Sequence, residues 1–130
     1  MALGAVSSQD ILAEAQSVAR ESGTSSWVGL MRVLTDQLGR FPLPADVSPA
    51  FAAAQTHWNG EDADLSTLST AKELVWNHLG RYPTGEDVKH EDGRLARALL
   101  CVLEPDGDAE AASLTAEWYA DMVSGRQAPR

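Results

Sequence analysis

One phrase occurs twice in this chain. Leu38-Gly39-Arg40-Phe41-Pro42, with Asp46-Val47 close behind, returns 41 positions later as Leu79-Gly80-Arg81-Tyr82-Pro83 with Asp87-Val88. Proline has no backbone N–H to give and its ring collides with the preceding helical turn, so a helix arriving at this phrase cannot run through it. A glycine shortly before the proline suits the left-handed residue that closes many helices. Both phrases therefore predict a corner, where the chain leaves one helix and turns back toward another.

The segments between the corners carry helical periodicity. Ser7 and Ser8 lead into apolar residues at Ile11, Leu12, Ala15, Val18 and Ala19, which predicts a first helix over 8–21. Trp27, Leu30, Met31, Leu34 and Leu38 form the clearest amphipathic stripe and predict a second. Ser48 followed by Pro49 is the cap and first-turn pair expected to open a third helix, which runs through Phe51, Ala54 and Trp58 to Asn59 and Gly60. Asp64 or Ser66 is expected to cap a fourth, with Leu65, Leu68, Val75 and Leu79 inward and Trp76 near the edge. Residues 92–103 are apolar nearly all round toward their end, which predicts a buried central helix stopped by Pro105. A sixth helix over 108–123 is expected to bury Ala111, Leu114, Trp118, Tyr119 and Met122.

No segment alternates apolar and polar residues over a strand's length. The expected fold is all-α: one domain spanning 1–130, with flexible ends at 1–7 and 125–130. It is a compact bundle of about six helices, built from helical hairpins with an internal repeat of about 41 residues. A repeat of this length also suits an open helical array, but residues 98–103 are apolar on too many sides for one. The run Trp76-Asn77-His78-Leu79-Gly80 resembles the opening of a tetratricopeptide unit, yet Pro83 falls where that unit's helix must continue, which rules the unit out.

Charge bounds the partners. Ten basic against nineteen acidic side chains leave a net charge of -9, which repels phosphate backbones and argues against nucleic acid. No run approaches the roughly 18 apolar residues that a membrane span needs, and no secretory leader is legible, so a cytoplasmic protein with no membrane contact is expected. The single cysteine, Cys101, can form neither an internal disulfide nor a thiolate metal cluster, which fits a reducing compartment. Scarce lysine and abundant alanine fit a GC-rich bacterial coding sequence.

Motifs for chemistry are missing. There is no phosphate-cradling glycine loop and no nucleophile elbow. His57, His78 and His90 belong to no helical ligand pair. Asp106, Asp108, Glu110 and Glu117 have calcium-loop spacing, but Ala111 stands where the sharp turn of such a loop needs glycine. No cofactor and no metal are expected.

What remains points to binding. Each corner offers an arginine with an aspartate six residues on, Arg40 with Asp46 and Arg81 with Asp87, and a guanidinium grips a carboxylate in a two-pronged fork. Each pair reads first as a pin for its own corner and second as a docking point. Of the four tryptophans, Trp27 and Trp118 lie on apolar stripes and are expected in the core, whereas Trp58 and Trp76 are candidates for an exposed patch. The expected function is a non-catalytic protein-binding module, such as an inhibitor or immunity-type protein with a basic partner, or one that self-associates. The alternative is a small-molecule binder or enzyme with an inter-helical pocket using Arg40, Arg81, His57 or His78.

Overall fold

The structure, a computed structural model, describes residues 7–60 and 65–124. Six α-helices account for most of them: α1 (Ser8–Ser22), α2 (Ser26–Leu38), α3 (Ser48–Trp58), α4 (Leu65–Leu79), α5 (Glu91–Leu100) and α6 (Ala109–Ser124). One 3-10 turn, Ala45–Val47, precedes α3 and another, Asp87–Lys89, precedes α5. No strand occurs among the described residues. The expected flexible ends, the acidic run 61–64 and the candidate cap Asp64 fall outside the described residues, save Ser7.

Local chemistry sets the helix starts. The Ser7 hydroxyl accepts from the backbone N–H groups of Gln9 and Asp10 at 3.2 and 3.4 Å, which satisfies donors that the first turn of α1 leaves open. Ser25 does the same for α2 through Val28 N–H at 3.2 Å, and Asp108 for α6 through Ala111 N–H at 2.8 Å. α1 closes on Gly23 at φ 69°, a left-handed residue that glycine adopts without steric cost.

Consecutive helices pack as hairpins, α1 on α2, α3 on α4 and α5 on α6, and α6 returns against α1 and α2. First and last helices are thus neighbours, which makes a closed, compact bundle. Gly29 of α2 faces the Ala15 carbonyl and Ala19 of α1 so closely that a Cβ has no room there. All six helices feed one core, with Leu30, Leu34, Val47, Val75, Leu99, Val102 and Tyr119 at its fully buried centre. The segment after α5 is held by two indoles: Trp27 Nε1–H donates to the Glu104 carbonyl at 3.0 Å and Trp58 Nε1–H to the Val102 carbonyl at 2.7 Å.

Four expectations are corrected. Gly39 is right-handed, φ −63° and ψ −12°, because the chain leaves α2 through a tightening turn. In that turn Arg40 N–H reaches Gln37 O at 3.0 Å and Phe41 N–H reaches Leu38 O at 3.1 Å, so no positive φ is required. Ser48 does not cap α3, since the 3-10 turn runs straight into the helix and the Ser48 N–H bonds back to Ala45 O. α5 ends at Leu100 rather than 103, and residues 101–103 continue in three-residue hydrogen-bonded turns. α6 is rotated from its expected face: it packs through Ala112, Ala116, Tyr119, Ala120 and Met122, leaving Ala111 half-buried and turning Leu114 and Trp118 outward. Alanines let the helix axis approach its neighbours closely, and that packing outweighs the burial of one leucine and one indole.

The two corners match only in part. Arg81 N–H reaches His78 O and Tyr82 N–H reaches Leu79 O, as at the first corner. Beyond the prolines they differ, because the second passes through an extended His90 (φ −119°, ψ 143°) before α5 starts.

Candidate functional site

Neither corner forms the ion pair expected within it. Arg40 extends into solvent and meets Asp36, one turn back on α2, at 3.2 Å. Asp46 instead faces the end of α4, where the Ala45–Val47 turn packs. There its carboxylate takes Arg81 Nη2 at 2.8 Å and His78 Nδ1 at 2.8 Å. An arginine of the second corner therefore serves the aspartate of the first. Asp87 is buried, and its partner is Arg97, one helix further on, through Nε to Oδ2.

His78 is nearly inaccessible and sits between Asp46 and Tyr82. An ionised carboxylate can only accept, so Nδ1–H donates to Asp46, and Nε2 faces the Tyr82 hydroxyl at 3.4 Å. The Tyr82 ring stacks on His90 at 5.2 Å. The His78 hydrogen bond holds the Asp46 carboxyl below its ordinary 3.8, with burial opposing and the charges of His78 and Arg81 adding. Burial, then the neighbouring Asp92 carboxylate, raises the Tyr82 phenol above its ordinary value. A nucleophilic tyrosine needs the opposite shift and open access. This row of side chains fits the joining of two corners better than chemistry. Cys101 is similarly ill-suited, since burial pushes its thiol up to about 12. No group of three or more metal-ligating side chains gathers among the described residues.

The exposed tryptophans lie elsewhere. Trp58, expected on a surface patch, is buried with its indole N–H satisfied by Val102 O, whereas Trp118, expected in the core, is 48% exposed. Trp76 does stand out, at 51%, and Leu114 at 60%. α4 and α6 flank α5, and between them runs a groove of about 220 Å³. Trp76 and Trp118 line it together with Leu100 and Cys101, and the Lys72 and Glu104 pair, 2.7 Å apart, borders it. A shallower depression continues past Trp118 along Leu114, Glu117 and Asp121. The Arg97 guanidinium lies 5.5 Å from the centre of the Trp76 ring while also holding Asp87, so the buried ion pair orients one tryptophan of the groove.

Of the six residues singled out from the sequence, Arg81 and Asp46 meet directly, Asp87 and Trp76 are linked through Arg97, and Arg40 and Trp58 belong to neither group. Arg97 and Trp118 were missed. An arginine set among Leu95, Ala96, Ala98, Leu99 and Leu100 was the available signal for the first. For the second, the alanines at 112, 116 and 120 form a stripe as regular as the one that was chosen. Comparison of the chain with protein-family models, with curated proteins and with solved structures finds no match.

Proposed function

We propose that this chain is a non-catalytic protein-binding module that engages a basic partner through the Trp76 and Trp118 face. One observation carries the reading: two half-exposed indoles and a more exposed leucine stand together on a protein of net charge -9. Tryptophans of this kind anchor interfaces, and acidic surroundings speed encounter with a cationic partner. An inhibitor or immunity-type protein that neutralises a basic protein in a reducing bacterial cytoplasm is the biological role that fits. Cys101 as a buried thiol agrees with that compartment, and no helix among the described residues is long and apolar enough to cross a membrane. Strong acidity counts against nucleic acid as a partner. We read the duplicated corner as a repeated helix stop that joins one hairpin of the bundle to the next.

The small-molecule alternative has less support. Arg40, Arg81, His57 and His78 line neither the groove between Trp76 and Trp118 nor the depression past Trp118. The groove, at about 220 Å³, falls below the roughly 300–1,000 Å³ usual for such sites, and the depression, at about 320 Å³, is more open to solvent.

The test is capture of partners from the source cell's extract by the wild-type chain and by Trp118→Glu, at low and high salt. Proteins held by the wild type and lost from the variant support the reading. Capture that ignores both the substitution and the salt contradicts it.

A further inference from the structure

The outer face of α6 is striped. Glu110, Leu114, Glu117 and Trp118 recur at three- and four-residue intervals, so an apolar line runs beside carboxylates along one side of the helix, and Ala112, Ala116 and Ala120 are buried on the other. The groove beside this stripe is lined by an indole from α4 and an indole from α6, together with Leu100 and Cys101. Its volume of about 220 Å³ has room for a single bulky side chain.

We infer that the occupant is a basic amphipathic helix, a deduction that rests on the protein-binding reading above. Such a helix places apolar anchors at the same three- and four-residue spacing as the stripe and inserts its ridge between α4 and α6. One anchor of leucine or phenylalanine size drops between Trp76 and Trp118. Arginines or lysines a turn before and after it reach Glu110 and Glu117 on α6, where charge-assisted hydrogen bonds form at a wet rim. A second copy of this chain is the poorer occupant. Two surfaces of net charge -9 repel, and the stripe of one copy would set carboxylates against carboxylates. Arg97 has a positioning role, because its hold on Asp87 keeps the guanidinium against Trp76 and fixes that wall of the groove.

The experiment uses the full chain and three synthetic peptides of about 16 residues, long enough to hold a helix on their own. The first carries leucines on one face flanked by arginines and contains no tryptophan. The second has the same composition with the leucines spread around the helix, and the third replaces arginine by glutamate. Titration calorimetry should show the first peptide binding about tenfold or more tighter than the second, with no binding of the third. Affinity for the first should fall with added salt and by about tenfold in Trp118→Ala. Glu117→Lys, a surface change that leaves the core untouched, should weaken it as well. Equal binding of the first and second peptides, or no effect of either substitution, overturns the inference. If the first peptide fails to bind while Trp118-dependent capture from extract persists, the face docks a partner of another kind and only the helix assignment falls. If both fail, the functional reading falls with it.

Discussion

Arg81 reaches across from the second corner to Asp46 of the first, Nη2 to Oδ2 at 2.8 Å, and His78 meets the same carboxylate from the end of α4. The two halves of the chain are thereby tied at a single side chain, outside the main core. The energetic weight of that tie differs between its donors. Arg81 is 62% exposed, so its pair is screened by water, whereas His78 is almost wholly enclosed.

Asp46→Ala should therefore lower stability by about 1–2 kcal/mol, measured by urea denaturation, and Arg81→Ala by less than about 1 kcal/mol. The larger loss comes from leaving buried His78 without an acceptor for its Nδ1–H. Equal losses for the two substitutions would show that the histidine contact contributes nothing.

The same tie gives a pH dependence of known sign. Asp46 titrates lower in the folded chain than its ordinary 3.8, so the unfolded chain binds more protons as the medium acidifies. Its contribution is fully present above the ordinary value and is lost as pH falls through the lowered one. The stability gap between wild type and Asp46→Asn should narrow as pH falls below about 4. A gap that widens below about 4 would reverse this assignment.

Asp87 and Arg97 make the more consequential pair, because the carboxylate is buried. Arg97→Ala leaves that charge without its partner and should cost about 3–5 kcal/mol, several times the cost of Arg81→Ala. It should also change the emission of Trp76, which loses the cation from its face. A loss no greater than that of Arg81→Ala would show that Asp87 is solvated.

Gly93 of α5 lies against the backbone of Asp87, where a Cβ would overlap the carbonyl oxygen. Backbone cannot swing aside as a side chain does, so Gly93→Ala should destabilise by about 1–3 kcal/mol despite its better helix propensity. Thermal denaturation would show it, and a raised melting temperature would mean the two segments are further apart than described.

Tyr119 works in the other direction. Its hydroxyl is buried without a hydrogen-bond partner among the described residues, and burial raises its phenol far above the ordinary range. Removing an unsatisfied polar atom relieves a desolvation cost, so Tyr119→Phe should be neutral or stabilising by up to about 1 kcal/mol. A clear destabilisation would reveal a partner for the oxygen, such as an enclosed water.

Helix positions were legible because their causes are local. Ser7, Ser25 and Asp108 act on N–H groups within three residues, and Pro42 and Pro83 act on their own turns, so the six helices could be read from short windows. Which way α6 faced could not. Leu114 and Trp118 suggested one side and the alanines another, and the choice depended on how closely neighbouring helices approach. The ion pairs were hidden for a similar reason. Six residues separate Arg81 from Asp87 along the chain, but the 3-10 turn carries Asp87 inward to Arg97 and leaves Arg81 nearer to Asp46. The groove inherits both difficulties, since one of its tryptophans lies on the misassigned face and the other is held by an unforeseen arginine.

The four indoles offer the most direct test of the central claim, that Trp76 and Trp118 form the docking face. Their Nε1–H signals in a proton–nitrogen correlation spectrum can be assigned by single substitution and followed while the striped basic peptide is added. The Trp76 and Trp118 signals should move together and saturate, while those of Trp27 and Trp58, bonded to Glu104 and Val102 carbonyls, stay in place. Movement of Trp27 and Trp58 with Trp76 and Trp118 unmoved would contradict it.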